Sequence, residues 1–120
     1  MKIYISHSMH FDYVNELYMP LKSSSLSHNH ELIIPHENNI AIENTKDLIK
    51  SSDYVVAEVS YPSTGVGIEL GWADDLKTPI ICVYKEGVEI SRSLTFITNR
   101  VFSYKSPDDM VEKLLGVVNR

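Results

Sequence analysis

The sequence predicts a single α/β domain over residues 1–120, with a five-stranded, mostly parallel sheet flanked by helices. Three observations predict it. A length of 120 residues suits one hydrophobic core. Hydrophobic residues at 43% and charged residues at 22% are the proportions of an ordered globular chain. Short apolar runs alternate with longer stretches of helical period, as in strands joined by crossover helices. The resulting layout is flavodoxin-like or Rossmann-like, and no internal repeat or long linker divides it.

Lys2 to Ser6 (KIYIS) reads as the first strand. Phe11, Val14, Leu17, Tyr18 and Leu21 recur at spacings of three and four, which predicts a helix over about residues 11–26, kinked or divided at Pro20. Glu31 to Ile34 gives a short second strand closed by Pro35. Ile42, Thr45, Leu48 and Ile49 form one face of a helix over residues 43–52. Asp53 to Val59 (DYVVAEV) is the strongest strand of the chain. After Pro62-Ser63-Thr64, a helix carrying Val66, Ile68, Leu70, Ala73 and Leu76 leads into the strand Pro79 to Tyr84. Val101 to Tyr104 supplies the fifth strand, and Pro107 opens a last helix through Met110, Val111, Leu114, Leu115 and Val118. A doubly wound sheet carries its site outside the carboxyl ends of the strands. The segments to inspect are therefore Ser6–His10, Pro35–Asn38, Glu58–Gly67 and Tyr84–Thr95.

Eleven Lys and Arg against sixteen Asp and Glu give a formal charge of −5. Binders of DNA or RNA carry a basic stripe, so nucleic acid polymers and anionic membranes are poor partners for this chain. A single small anion remains acceptable, because backbone N–H groups can hold it without Lys or Arg. The one cysteine, Cys82, lies in the apolar run PIICVY; it excludes an internal disulfide framework and a multi-cysteine zinc site, and reads as buried. No grouping of His, Asp and Glu has metal-ligand spacing, so neither a metal nor a cofactor is expected. No run reaches the roughly 18 apolar residues of a membrane span. The amino terminus opens directly on a strand, without the charged and then apolar segments of a signal peptide, and the expected location is the cytoplasm.

Three of the five glycines, Gly65, Gly67 and Gly71, fall within seven residues. They sit where a strand passes into a helix, with Ser63 or Thr64 available to cap it. Free N–H groups and the positive end of the helix would face the crevice, making this turn a candidate phosphate or carboxylate site. A tight turn with close packing of helix on sheet explains the same spacing. Glu69 lies between Ile68 and Leu70 early in that mostly apolar helix. A carboxylate so placed can act as nucleophile or acid/base in glycosyl chemistry, or can simply complement the helix dipole.

The run DYVVAEV followed by Pro62 to Gly71 (PSTGVGIELG) resembles the nucleoside 2-deoxyribosyltransferase superfamily. The closest likeness is to its 2'-deoxynucleoside 5'-monophosphate N-glycosidase branch, with the pattern A-E-V-x-x-P-S-x-G-V-G-x-E-L-G. It extends to Lys2-Ile3-Tyr4-Ile5 and to Pro35-His36. The resemblance implies that Glu69 is the catalytic glutamate attacking the anomeric carbon, and that Tyr4 hydrogen-bonds near it. It also implies that Ser63, with the N–H groups of Thr64, Gly65 and Gly67, binds a 5'-phosphate. Ser93 or Thr95 corresponds to a serine that reaches a neighbouring subunit's phosphate site, and a homodimer follows by the same resemblance.

The chain departs from that pattern at Thr45, where the family has an aspartate acting on the departing base. Asp47 lies two residues on, about 200° around a helix, and Glu43 lies equally far the other way. An arginine of the opening loop is replaced near His10, so His7 and His10 become candidates for phosphate or base contact, with surface histidines as the alternative. The strand-end residues Glu58 and His36 are further candidates, whereas His28 and His30 are expected in solvent. Trp72 suits core or subunit packing. The leading expectation is cleavage or transfer of the N-glycosidic bond of a (deoxy)nucleoside 5'-monophosphate or deoxynucleoside through a covalent glycosyl-Glu69 intermediate. A nucleotide or nucleotide-sugar binding module with lost or altered catalysis is the alternative that Thr45 motivates. An NAD-cleaving or signalling domain of similar layout fits the pattern less well.

Overall fold

A computed structural model describes residues 1–35 and 45–118. Five strands, β1 (Lys2–His7), β2 (Glu31–Ile33), β3 (Tyr54–Glu58), β4 (Ile80–Lys85) and β5 (Val101–Tyr104), form one sheet in the order β2-β1-β3-β4-β5. Every neighbouring pair is parallel, so the sheet is wholly rather than mostly parallel. The order is the flavodoxin-like one, with its switch point between β1 and β3. In register, His7 lies beside Glu58, Glu58 beside Val83, and Lys85 beside Tyr104. The strands therefore end at one edge, and the loops that follow them share it.

Strand alternation divides the core into two layers. Ile3, Ile5, Val56, Ile81 and Val83 pack on one side against α1 (Met19–Lys22), α2 (Ser25–Asn29), α5 (Pro107–Val118) and the turn Val14–Tyr18. Tyr4, Val55, Ala57, Ile80 and Cys82 pack on the other against α3 (Thr45–Ser51) and α4 (Thr64–Asp75). Buried on both faces, β3 and β4 require the nearly continuous apolar runs that mark them in the sequence.

The segment expected as one helix is broken into three pieces. Pro20 has no N–H to return to Glu16, and the turn ahead of it is widened, with the Met19 N–H bonding the Val14 carbonyl five residues back. Leu17, Tyr18 and Leu21 are buried as expected, but Val14 is 48% exposed, because the widened turn rotates it off the core face. Ile68 is also 48% exposed: two residues from the buried Val66, it falls on the far side of α4. At the end of α4, Lys77 adopts a left-handed conformation, φ 61°, and the Thr78 N–H returns to the Ala73 carbonyl at 2.9 Å. The chain thereby turns directly into β4.

Cys82 is fully buried, and burial pushes its thiol up to about 12. A thiol reagent at neutral pH should label the native protein no faster than it unfolds, with denaturant accelerating the reaction. Rapid stoichiometric labelling without denaturant is the contrary result.

Candidate active site

Tyr4 and Ser6 are two residues apart on β1 and so project onto the same face of the sheet, the one covered by α4. Both hydroxyls reach one side chain. The Tyr4 hydroxyl donates to Oε2 of Glu69, and the Ser6 hydroxyl donates to Oε1 at 2.9 Å. Tyr4 and Ser6 are buried, whereas Glu69 is half-buried. One carboxylate is thus fixed by two neutral donors while remaining partly exposed beside the carboxyl end of β1. Hydrogen bonds to a charged acceptor contribute about 1.5–3 kcal/mol each, enough to hold a single orientation. Burial, and then the bond to Glu69, push the Tyr4 phenol far above its ordinary value of 10.0; Thr45, beside the same phenol, acts in the opposite sense. Tyr4 therefore serves as a fixed donor.

The turn into α4 is built around Ser63. Its backbone is extended (φ −152°, ψ 126°), its Oγ accepts from the Val66 N–H at 3.3 Å, and its carbonyl accepts from the Gly67 N–H at 3.1 Å. The N–H groups of Thr64 and Gly65 lie in the first turn, where a helix provides no acceptor, and both residues are exposed. The clustered glycines are not explained by close packing. A Cβ at Gly67 or Gly71 would meet nothing within 4 Å, and none of Gly65, Gly67 and Gly71 has positive φ. Gly67 and Gly71 instead line a groove of about 430 Å³ between α4 and the short helical turn Arg92–Phe96. Ser63 and Ser93 of the one chain both line this groove.

The remaining sequence candidates are distributed differently. His7 projects to the opposite face of the sheet, is 6% exposed, and has both ring nitrogens engaged, Nδ1 with the Ser8 carbonyl at 2.8 Å and Nε2 with the Tyr18 hydroxyl. His10 is exposed, and its N–H donates to Ser8 Oγ at 3.0 Å. Glu58 is 1% exposed on the His7 side, where it accepts from the Ser60 N–H, the Ser60 hydroxyl and the Tyr104 hydroxyl. Thr45 is buried beside Tyr4, while Asp47 is exposed and turned away from it. His36 and Glu43 lie outside the described residues. Among the described residues, no three His, Cys, Asp or Glu side chains converge as metal ligands, and no helix is long and apolar enough to cross a membrane. Sequence reading missed Ser6, although its two-residue offset from Tyr4 was a usable signal.

These features define an α/β domain that presents a held carboxylate at the switch point of a parallel sheet. In sequence the chain is similar to a Thermofilum pendens protein named "Putative 2'-deoxynucleoside 5'-phosphate N-hydrolase 1", 36% identical over 56% of this chain and 50% of that protein. It is also similar to a 5-hydroxymethyl-dUMP N-hydrolase of Branchiostoma floridae, 46% identical over 40% of this chain and 47% of that one. The match spans half or less of the length of these curated relatives. No protein-family model matches the chain. In fold it resembles the CMP N-glycosidase of Clostridium botulinum, with a TM-score of 0.67 at 22% identity, covering 95% of this chain and 98% of that one. A 2-deoxyribosyltransferase of Bacillus psychrosaccharolyticus superposes with a TM-score of 0.66 at 21% identity, over 92% and 90% of the two chains. The likeness read from the central motif thus stands in sequence toward the nucleotide N-hydrolases, and in fold toward the N-glycosidase and the deoxyribosyltransferase.

Tyr104, like Tyr4, is held far above 10.0 by burial and then by its carboxylate partner, here Glu58. The folded state favours both protonated phenols, so their contribution to stability is complete below pH 10 and declines as the pH rises past it, where the unfolded chain's tyrosines ionise. Denaturation midpoints should fall steeply above about pH 10, and less steeply in Tyr4→Phe. Equal slopes for the two proteins would contradict the assignment.

Proposed function

We propose that this chain cleaves or transfers the N-glycosidic bond of a (deoxy)nucleoside 5'-monophosphate, with Glu69 as nucleophile. The observation that carries the reading is the pair of hydroxyl donors on Glu69. They fix the orientation of one carboxylate and leave it partly exposed, and relatives and neighbours of the chain are named for action on such bonds.

In the first step a Glu69 oxygen attacks the anomeric carbon. An ester bond to the sugar forms as the C–N bond breaks, and the base leaves with the bonding pair and takes up a proton from solvent. In the second step water attacks the same carbon and gives up a proton to solvent, the ester C–O bond breaks, and the sugar phosphate is released with the Glu69 carboxylate regenerated. A second base attacking in place of water makes the reaction a transfer. Tyr4 and Ser6 position the nucleophile throughout. The 5'-phosphate is assigned to the start of α4. Because Ser63 Oγ accepts from Val66, its own proton can be donated to the ligand, alongside the N–H groups of Thr64 and Gly65. Six residues separate Ser63 from Glu69, about 9 Å along the axis, the scale of a sugar carrying its 5'-phosphate. Ser93, on the same groove, is a further phosphate contact, and His10 is an exposed one at the rim of the β1 loop.

Thr45 supports a second reading. The position next to Tyr4 holds a hydroxyl where the resemblance calls for an aspartate, which favours a module that binds a nucleotide without consuming it. Incubation with the common deoxynucleoside monophosphates, following free base by chromatography, separates the two. Wild type should release base, Glu69→Ala should lose at least about 1,000-fold in rate, and Ser6→Ala about tenfold. A nucleotide that raises the melting temperature and is recovered intact by mass analysis supports the binding module instead. A homodimer, tested by light scattering, completes the proposal.

A further inference from the structure

A second carboxylate at this edge of the sheet, that of Glu58, is buried, and its side chain points to the face opposite the one on which Tyr4 and Ser6 hold Glu69. It is 1% exposed and carries three donors: the Ser60 N–H to Oε1 at 2.6 Å, the Ser60 hydroxyl to Oε2 at 2.9 Å, and the Tyr104 hydroxyl to Oε2. Ser60 Oγ in turn accepts from the Lys85 N–H at 2.8 Å. One carboxylate therefore binds together the ends of β3, β4 and β5. Burying a carboxylate is costly unless its oxygens are satisfied, and a hydrocarbon of the same shape would leave the Ser60 N–H and both hydroxyls without an acceptor. Ser60 begins the segment Ser60-Tyr61-Pro62 that delivers Ser63 to the start of α4. Its next residue is tied from the same strand, since Lys85 Nζ donates to the Tyr61 hydroxyl at 2.8 Å and the Tyr61 ring stacks on Phe11 at 5.1 Å.

We infer that Glu58 is a positioning residue for the phosphate-binding turn. It fixes Ser60, and through the three-residue link to Ser63 it sets where the cap hydroxyl and the Thr64 and Gly65 N–H groups meet the anion. This role rests on the proposed function, and it separates Glu58 from Glu69: loss of Glu58 weakens phosphate binding and leaves the nucleophile in place.

The test compares wild type, Glu58→Ala and Glu58→Gln on a deoxynucleoside monophosphate that wild type cleaves, with calorimetry of 2-deoxyribose 5-phosphate binding. In Glu58→Ala, KM should rise about tenfold with kcat within about twofold. Glu58→Gln, whose amide oxygen still accepts from Ser60, should fall between, and the calorimetric affinities should follow the same order. Should the alanine variant fail to fold, the glutamine variant decides. A lowered melting temperature with KM unchanged, or a loss confined to kcat, overturns the role and leaves the activity standing. Should wild type release no base, the activity fails; sugar phosphate affinity weakened by substitution at Glu58 would still support the role, and unchanged or absent affinity would overturn it.

Discussion

Two hydroxyls on one strand hold one carboxylate on a helix that follows a different strand, and the candidate site depends on that contact. Tyr4 and Ser6 reach Glu69 only because β1 and β3 lie side by side in register, so that α4, leaving β3, covers the face of β1 to which even-numbered residues point. Slipping β1 by one residue would turn both hydroxyls to the opposite layer and bring Ile3 and Ile5 into the site. Core packing and site geometry are thus one constraint, since the register that buries Ile3 and Ile5 on one side also places the two donors on the other.

The carboxyl edge carries two glutamates in contrasting states. Glu69 is half-buried, with two donors and an open side. Glu58 is enclosed, with three donors and no exposure to speak of. A carboxylate with every neighbour supplied by the protein is a structural anchor, whereas one that is oriented yet accessible can react. The division follows the strand period: Glu58 and His7 project into the layer of α1 and α5, and their polar groups are taken up by Ser60, Tyr104, Ser8 and Tyr18. The turn into α4 lies between the two systems. It is anchored through Ser60 on one side and opens at Ser63 on the other, beside a groove kept free by the missing side chains of Gly67 and Gly71.

Much of this was legible in the order of residues. Buried parallel strands need unbroken apolar runs, so DYVVAEV and PIICVY announced β3 and β4, and Pro107 marked the first residue of α5. The segment after β1 was less legible, because a widened turn ahead of Pro20 shifts the helical phase that exposed Val14 was assigned by. Glu69 and Tyr4 stood out through the motif. Thr45 stood out only as a departure from that motif, and Ser6 not at all, since a serine or threonine acquires a role only from what it touches.

By itself the sequence determined the α/β class, the strand-to-helix turn with its glycines and a cap at Ser63 or Thr64, and the two glutamates that flank that turn, because each depends on neighbours a few residues apart. Only the tertiary structure decided which glutamate is reachable, that Ser6 shares the hold on Glu69, that Thr45 and not Asp47 lies against Tyr4, and that His7 is enclosed. Those outcomes depend on strand register and on which layer each side chain enters, and both are settled by partners from 11 to 65 residues away along the chain.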